Sequence, residues 1–299
     1  MSDIILQNSF YFSNVSNSIL YGVVLMLYLS TMQAYLEKRL ERRPSDKFYM
    51  VFSTILVFLI TIFVTTRLVS GQEMWINHPG YPGGASAYFN ANMSAWYLTM
   101  SAVASTLLQL ITDGLLIMRC FTVWHRSYSV VFVPCCLWLS SLVVGILNLI
   151  TAASPNNNFY EGLKAHVGLV YICLTIGLNV LATCLICGRI IFCARRMRHH
   201  FGSEASRDYF TIVAIVVESA VPYTLFGIAF LVSFGLVSYS SIIFLSLYGM
   251  FTCISPQMLI LRVVRRRAWS AEVAESTALA FATQSTAAPC TASTSSSTV

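Results

Sequence analysis

Seven apolar stretches of about twenty residues each fill this 299-residue chain, and no other feature restricts its fold as tightly. They run Ser16–Tyr35, Phe48–Leu68, Trp96–Met118, Val130–Ala152, Gly168–Ile191, Tyr209–Leu231 and Ser241–Val263. Each is long enough to cross roughly 30 Å of hydrocarbon at about 1.5 Å per residue. A backbone in lipid has to satisfy its own hydrogen bonds, so these stretches are helices and not buried strands. The expected fold is an all-α membrane protein, a seven-transmembrane-helix bundle. A mean hydropathy of +0.70, with only 10% charged residues, lies outside the range of ordinary soluble domains.

The charges between the spans orient them. With the N-terminus outside, the cytoplasmic segments hold Lys38, Arg39, Arg42, Arg43, Lys47, Arg119 and Arg126. They also hold Arg189, Arg195, Arg196, Arg198, Arg207, Arg262, Arg265, Arg266 and Arg267. Those are 16 of the 18 basic residues; Arg67 and Lys164 alone lie toward the other face. The positive-inside rule therefore predicts N-out and a cytoplasmic C-terminus. The net charge of +6 comes from these loop residues facing an anionic leaflet. It points to the lipid bilayer as partner and not to a nucleic acid. Residues 1–15 lack a basic n-region, so the first span reads as a signal-anchor. The localisation is a multi-pass membrane protein of the plasma membrane or an endomembrane.

Three segments follow: a short outer tail over 1–15, the transmembrane domain over 16–269, and a cytoplasmic tail over 270–299. The tail is mostly Ala, Ser and Thr, without basic residues or apolar periodicity, and is expected to be disordered. The longest outer loop, Ser70–Ala95, carries turn signals at Pro79-Gly80 and Pro82-Gly83. No outer segment is large enough to fold as a ligand-binding domain, so a ligand has to reach the bundle itself. Two sequons, Asn14-Val15-Ser16 and Asn92-Met93-Ser94, lie on the outer side, each within a few residues of a span. None of the nine cysteines falls in an outer loop, and no structural disulfide is expected.

Two acids lie inside spans: Asp113 in the third and Glu218 in the sixth. Counting from the inner ends, Asp113 is about 9 Å deep and Glu218 about 13 Å. A charge at such depth costs at least roughly 2.5 kcal/mol, so these residues are expected to face a partner or a wet cavity. Thr106, Gln109 and Asp113 share a face of the third span by i, i+3, i+7 spacing. Thr175, Asn179 and Thr183 form a stripe on the fifth. The sixth adds Ser219 and Pro222 beside Glu218, and the seventh adds Tyr248, Thr252, Ser255 and Pro256. One reading is a polar ligand cavity built on Gln109, Asp113, Asn179, Glu218 and Tyr248. The other is interhelical hydrogen bonding that holds the bundle together, worth about 0.6–2 kcal/mol per contact. As catalytic candidates only Glu218 and Asp113 stand out. No lysine lies inside a span to form a retinal Schiff base, the five histidines lie in loops, and neither a metal site nor a cofactor motif is read.

Seven helices in this orientation resemble a G-protein-coupled receptor in topology. The end of the third span, Asp113 to Arg119 and Cys120, lacks an Asp/Glu-Arg-Tyr triplet, and Ser255-Pro256-Gln257 lacks the tyrosine of the Asn-Pro-x-x-Tyr motif. The chain more closely resembles a family of uncharacterised seven-helix proteins from mushroom-forming fungi. The shared pieces run from Asp113 through Arg119, Cys120 and Phe121 to Trp124, then Leu178-Asn179 to Thr183, Val217-Glu218-Ser219-Ala220 and Ile254-Ser255-Pro256. The last are Leu261-Arg262-Val263 and Arg267-Ala268-Trp269. Arg266 stands where that family commonly has Gly. The resemblance implies the architecture and makes Asp113, Asn179 and Glu218 family features, without an activity.

Three functions remain open on these grounds. A receptor-like sensor of a small lipophilic molecule, with a G protein as partner, fits the topology, the proline beside Glu218 and the basic third inner loop. An integral-membrane enzyme resembling the small terpene cyclases of fungal secondary metabolism would use Asp113 or Glu218 as the acid. A proton-coupled transporter would use Glu218, but the three-helix repeat of such carriers is not duplicated here.

Overall fold

A computed structural model of the chain describes residues 2–37, 44–92, 94–153, 162–201, 203–236, 238 and 240–286. The described residues form eight α-helices and no strand. They are α1 (Ser2–Glu37), α2 (Pro44–Gln72), α3 (Gly84–Ala91), α4 (Trp96–Val123), α5 (Tyr128–Ala153), α6 (Gly162–Phe201), α7 (Ser203–Gly235) and α8 (Ser241–Thr286). Seven of them, all but the short α3, are long and apolar enough to cross a membrane, and each contains one of the expected spans. The basic residues Lys38, Arg39, Arg42 and Arg43, the loop 154–161 after α5, Met93 and residues 287–299 lie outside the described residues.

The bundle closes on itself. Contacts run α1–α2–α4–α5–α6–α7–α8 and back to α1, while α4 also touches α6 and α8 and so occupies the middle. The outside is apolar: α5 alone exposes Phe132, Leu139, Val143, Ile146, Leu147 and Ile150. A water-soluble surface does not leave such a continuous apolar face uncovered, whereas a lipid-facing one does. The chain is thus a multi-pass helical membrane bundle.

Polar residues work on the inside. Ser53 Oγ donates to Gln257 Oε1 at 2.7 Å, and Gln257 Nε2 donates back to the Ser53 carbonyl at 3.1 Å, fastening α2 to α8. Ser246 Oγ donates to Asn17 Oδ1 at 2.6 Å between α8 and α1. Trp138 Nε1 reaches the Leu110 carbonyl (3.0 Å) and Trp124 Nε1 the Leu185 carbonyl (3.2 Å), tying α4 to α5 and α6. Arg119, Arg189, Arg195, Arg196, Arg262 and Arg265 collect toward one end of the bundle, called the basic end below. There Arg189 lies over Trp124 at 5.1 Å and Arg119 over Tyr49 at 6.0 Å, so aromatic faces carry part of the cation burden.

Two boundaries differ from expectation. The outer tail expected over 1–15 is the first part of α1. Leu6 and Phe10 are buried with Met74, Tyr88 and Ile242, while Ile4, Ile5, Tyr11 and Phe12 are exposed. The buried face of this turn-by-turn repeat includes Ser9, Ser13, Asn14 and Asn17, and those polar residues hide the helix from a hydropathy window. At the other terminus α8 continues past Trp269 to Thr286, through a stretch of mostly Ala, Ser and Thr in which the alanines supply the helix propensity. The loop before α4 also holds more structure than its turn signals suggest. A π-helical turn, Glu73–Asn77, and α3 pack across the end opposite the basic one, and Gly83 enters α3 at φ 89°, a left-handed conformation open to glycine.

Candidate functional site

The site is built around Gln109, which lies on α4 at the centre of the bundle. Its Nε2 donates to Asp113 Oδ1 (3.0 Å) and Oδ2 (3.1 Å), one turn along the same helix, and to Tyr223 Oη on α7 (2.9 Å). Its Oε1 accepts from Thr252 Oγ1 on α8 (3.2 Å), and Tyr248 Oη stands 3.4 Å from the same oxygen. Tyr223 and Tyr248 meet hydroxyl to hydroxyl at 2.6 Å, and Tyr248 Oη lies 2.8 Å from Thr175 Oγ1 on α6. Four helices therefore meet in one buried network, α6 joining it through Tyr248.

Donor counting orders this network. Tyr223 Oη accepts from the Gln109 amide, so its own proton goes to Tyr248. Thr175 Oγ1 donates to the Ile172 carbonyl at 3.0 Å, so it accepts from Tyr248. The chain of donors is Gln109, Tyr223, Tyr248, Thr175 and the backbone of α6, with every hydroxyl used. Such a run polarises each bond in the next and rewards a single arrangement.

Two cavities flank the network. The larger, about 230 Å³, lies on the side away from the basic end, between α2, α4, α6, α7 and α8. Its walls include Leu98, Ala102, Leu169, Ile172, Phe230 and Leu245; Gln109, Tyr248 and Thr252 form its polar floor. The smaller, about 50 Å³, lies on the other side of Gln109 and is lined by Asp113, Arg119, Asn179, Thr183, Ser219 and Ser255 among others. Gln109 and Thr252 border both. Pro222 and Pro256 stand within about one turn of the network on α7 and α8, and each removes one i→i−4 backbone bond from its helix.

No protein-family model matches the chain, and no curated protein matches it.

Of the residues singled out in the sequence, Gln109, Asp113 and Tyr248 come together directly, along with Thr175 and Thr252. Asn179 borders only the small cavity, where its buried Oδ1 has no partner among the described residues. Glu218 departs from the seam. The buried face of α7 is Val216, Ser219, Tyr223, Gly227 and Phe230, spaced three and four apart, and residue 218 falls off that face. Its side chain is 68% exposed, and its Oε2 sits 3.4 Å from Arg262 Nη2 on α8. Counted from the far ends of their helices, at Gly235 and Ser241, this pair lies about 25–30 Å along, near the edge of the hydrocarbon layer and not at its centre. Glu218 thus stands outside the polar cavity that the sequence suggested.

Asn14 departs as well. It is buried on α1 against α2, with Nδ2 so close to Gly71 that a Cβ there would stand 2.7 Å away. Asn92, half-buried at the end of α3, donates its Nδ2 to the Tyr88 carbonyl at 3.0 Å.

Three site residues escaped the sequence reading. Tyr223 carries the central hydrogen bond, Tyr171 lines the large cavity with a buried hydroxyl, and Arg67 lines it as a cation. The signal for Tyr223 was its spacing of four from Ser219 on the inward face. Among the described residues no group of three His, Cys, Asp or Glu gathers to hold a metal.

Proposed function

We propose that the chain is a receptor-like sensor of a small lipophilic ligand, oriented with its N-terminus outside and its C-terminus in the cytoplasm. The observation that carries this reading is the shared floor of the two cavities. A ligand in the 230 Å³ cavity touches Gln109, Tyr248 and Thr252, and the same Gln109 holds Asp113 and Tyr223 on the side facing Arg119. A change in which partner Gln109 and Tyr248 bond is a change in how α7 and α8 sit against α4. The prolines in both helices lower the cost of that movement. Ligand binding that favours one arrangement shifts the population of the basic end, where a G protein would be met.

The acid-catalysed enzyme is less well supported. Neither carboxyl lines the larger cavity: Asp113 faces the 50 Å³ one, too small for a terpene, and Glu218 faces outward.

The test is energy transfer between the full chain and host G-protein α subunits on addition of fractionated host lipophiles. The sensor reading expects a saturable, ligand-dependent change that Gln109→Leu abolishes. No change with any fraction, together with a metabolite that appears with wild type and vanishes with Asp113→Asn, would replace it with the enzyme.

A further inference from the structure

We infer that the large cavity takes an amphiphilic anion, a small carboxylic acid with a hydrocarbon chain, whose carboxylate is held by Arg67. This rests on the sensing cavity proposed above and names the chemistry of its ligand. Among the described residues Arg67 is the one charged residue lining the cavity. Among the described residues it makes no ion pair or hydrogen bond, and its buried Nε has no partner. It lies over the Phe63 ring, whose centroid is 5.6 Å from Cζ.

The ordinary explanation for an arginine near the end of a membrane helix is snorkelling, with the head group led out to the near surface. The geometry of α2 opposes that here. Arg67 lies five residues before the end of α2 at Gln72, so the near surface is on its C-terminal side. Side chains of a helix lean toward its N-terminus, and Arg67 follows, lying over Phe63 one turn deeper in the bundle. The guanidinium is therefore directed into the cavity and away from the surface it would snorkel to. A half-buried cation facing an apolar cavity without an anion is costly, and a carboxylate with two oxygens matches the guanidinium fork.

The remaining walls set the rest of the ligand. Leu98, Ala102, Leu169, Ile172 and Phe230 offer hydrocarbon beside uncharged polar groups such as Ser105 and Asn148, with no second charge among the described residues. A cavity of about 150 Å³ admits benzene, so 230 Å³ has room for on the order of ten non-hydrogen atoms, the size of octanoate.

Equilibrium binding of radiolabelled octanoate and of octan-1-ol, to the full chain in phosphatidylcholine nanodiscs with empty discs as background, tests this. Saturable octanoate binding is expected, weakened by about tenfold or more in Arg67→Gln and by less in Arg67→Lys. Octan-1-ol binding should stay within about twofold in both variants, which also reports that they fold. Octanoate binding that is equal in wild type and Arg67→Gln overturns the anion site and leaves the lipophilic site standing. So does octan-1-ol binding without octanoate binding. Saturable binding of neither probe overturns the anion site and the sensing cavity together.

Discussion

The hydroxyl oxygens of Tyr223 and Tyr248 stand 2.6 Å apart, with ring centroids at 4.7 Å, joining α7 to α8 directly above the Gln109 amide. This is the shortest link in the network and the one that connects the two proline-bearing helices. Both rings are buried, so neither hydroxyl can exchange its partner for bulk water. Tyr223→Phe and Tyr248→Phe should each destabilise the detergent-solubilised protein by about 1 kcal/mol, measured by reversible unfolding. The double variant should cost clearly less than the sum, because the second removal finds its partner already gone. Strict additivity would show that the hydroxyls do not act as a pair.

Packing between α6, α7 and α8 depends on a glycine. A Cβ on Gly227 would lie 2.6 Å from Ile176 Cδ1, 3.0 Å from its Cγ1 and 3.2 Å from Tyr248 Cδ2. Gly227→Ala is therefore expected to destabilise by about 1–3 kcal/mol through overpacking. Ile176→Val, which deletes the Cδ1 methyl, should restore part of the loss in that background. No rescue would mean that the strain falls on the Tyr248 side.

The two acids, Glu218 and Asp113, should differ in how much their removal costs. Glu218 is exposed and paired with Arg262, so Glu218→Gln should change unfolding free energy by less than about 1 kcal/mol. Asp113→Leu strands the buried Gln109 amide and should cost about 1–3 kcal/mol. Thermal unfolding of both purified variants checks the contrast. A larger loss at position 218 than at 113 would contradict this placement.

Glycosylation discriminates between the two sequons. Any glycan on the chain should sit at Asn92, since Asn14 is buried against Gly71. Asn14→Gln should leave the endoglycosidase-sensitive gel mobility unchanged. A mobility shift in Asn14→Gln would show that the first helix does not extend to Ser2 in the cell.

These contrasts mark what the sequence could and could not reveal. The spans were legible because lipid allows few backbone solutions, and twenty apolar residues leave little choice. Gln109 and Asp113 were legible as a pair because four residues along a helix is a direct contact. Which face of α7 turns inward was not legible. The helix is apolar nearly all round, so no polar stripe marks its outside, and Glu218 drew the reading toward itself while Tyr223 passed as one more hydrophobic residue. The start of α1 was hidden for the inverse reason, its polar residues being the buried ones. Arg67 is visible in the sequence as an exception to the charge distribution, but only the direction of its side chain over Phe63 shows that it enters a cavity.

Photoaffinity labelling with an aliphatic alcohol carrying a diazirine, mapped by peptide mass spectrometry, tests the ligand cavity most directly. The expected adducts lie on its wall residues, among them Leu98, Ala102, Leu169, Ile172 and Leu245, and excess octan-1-ol suppresses them. Ala102→Trp, which fills the cavity, should remove them. Adducts spread over lipid-facing positions such as Leu139, Val143 and Ile146, insensitive to competitor and to Ala102→Trp, would contradict a ligand site inside the bundle.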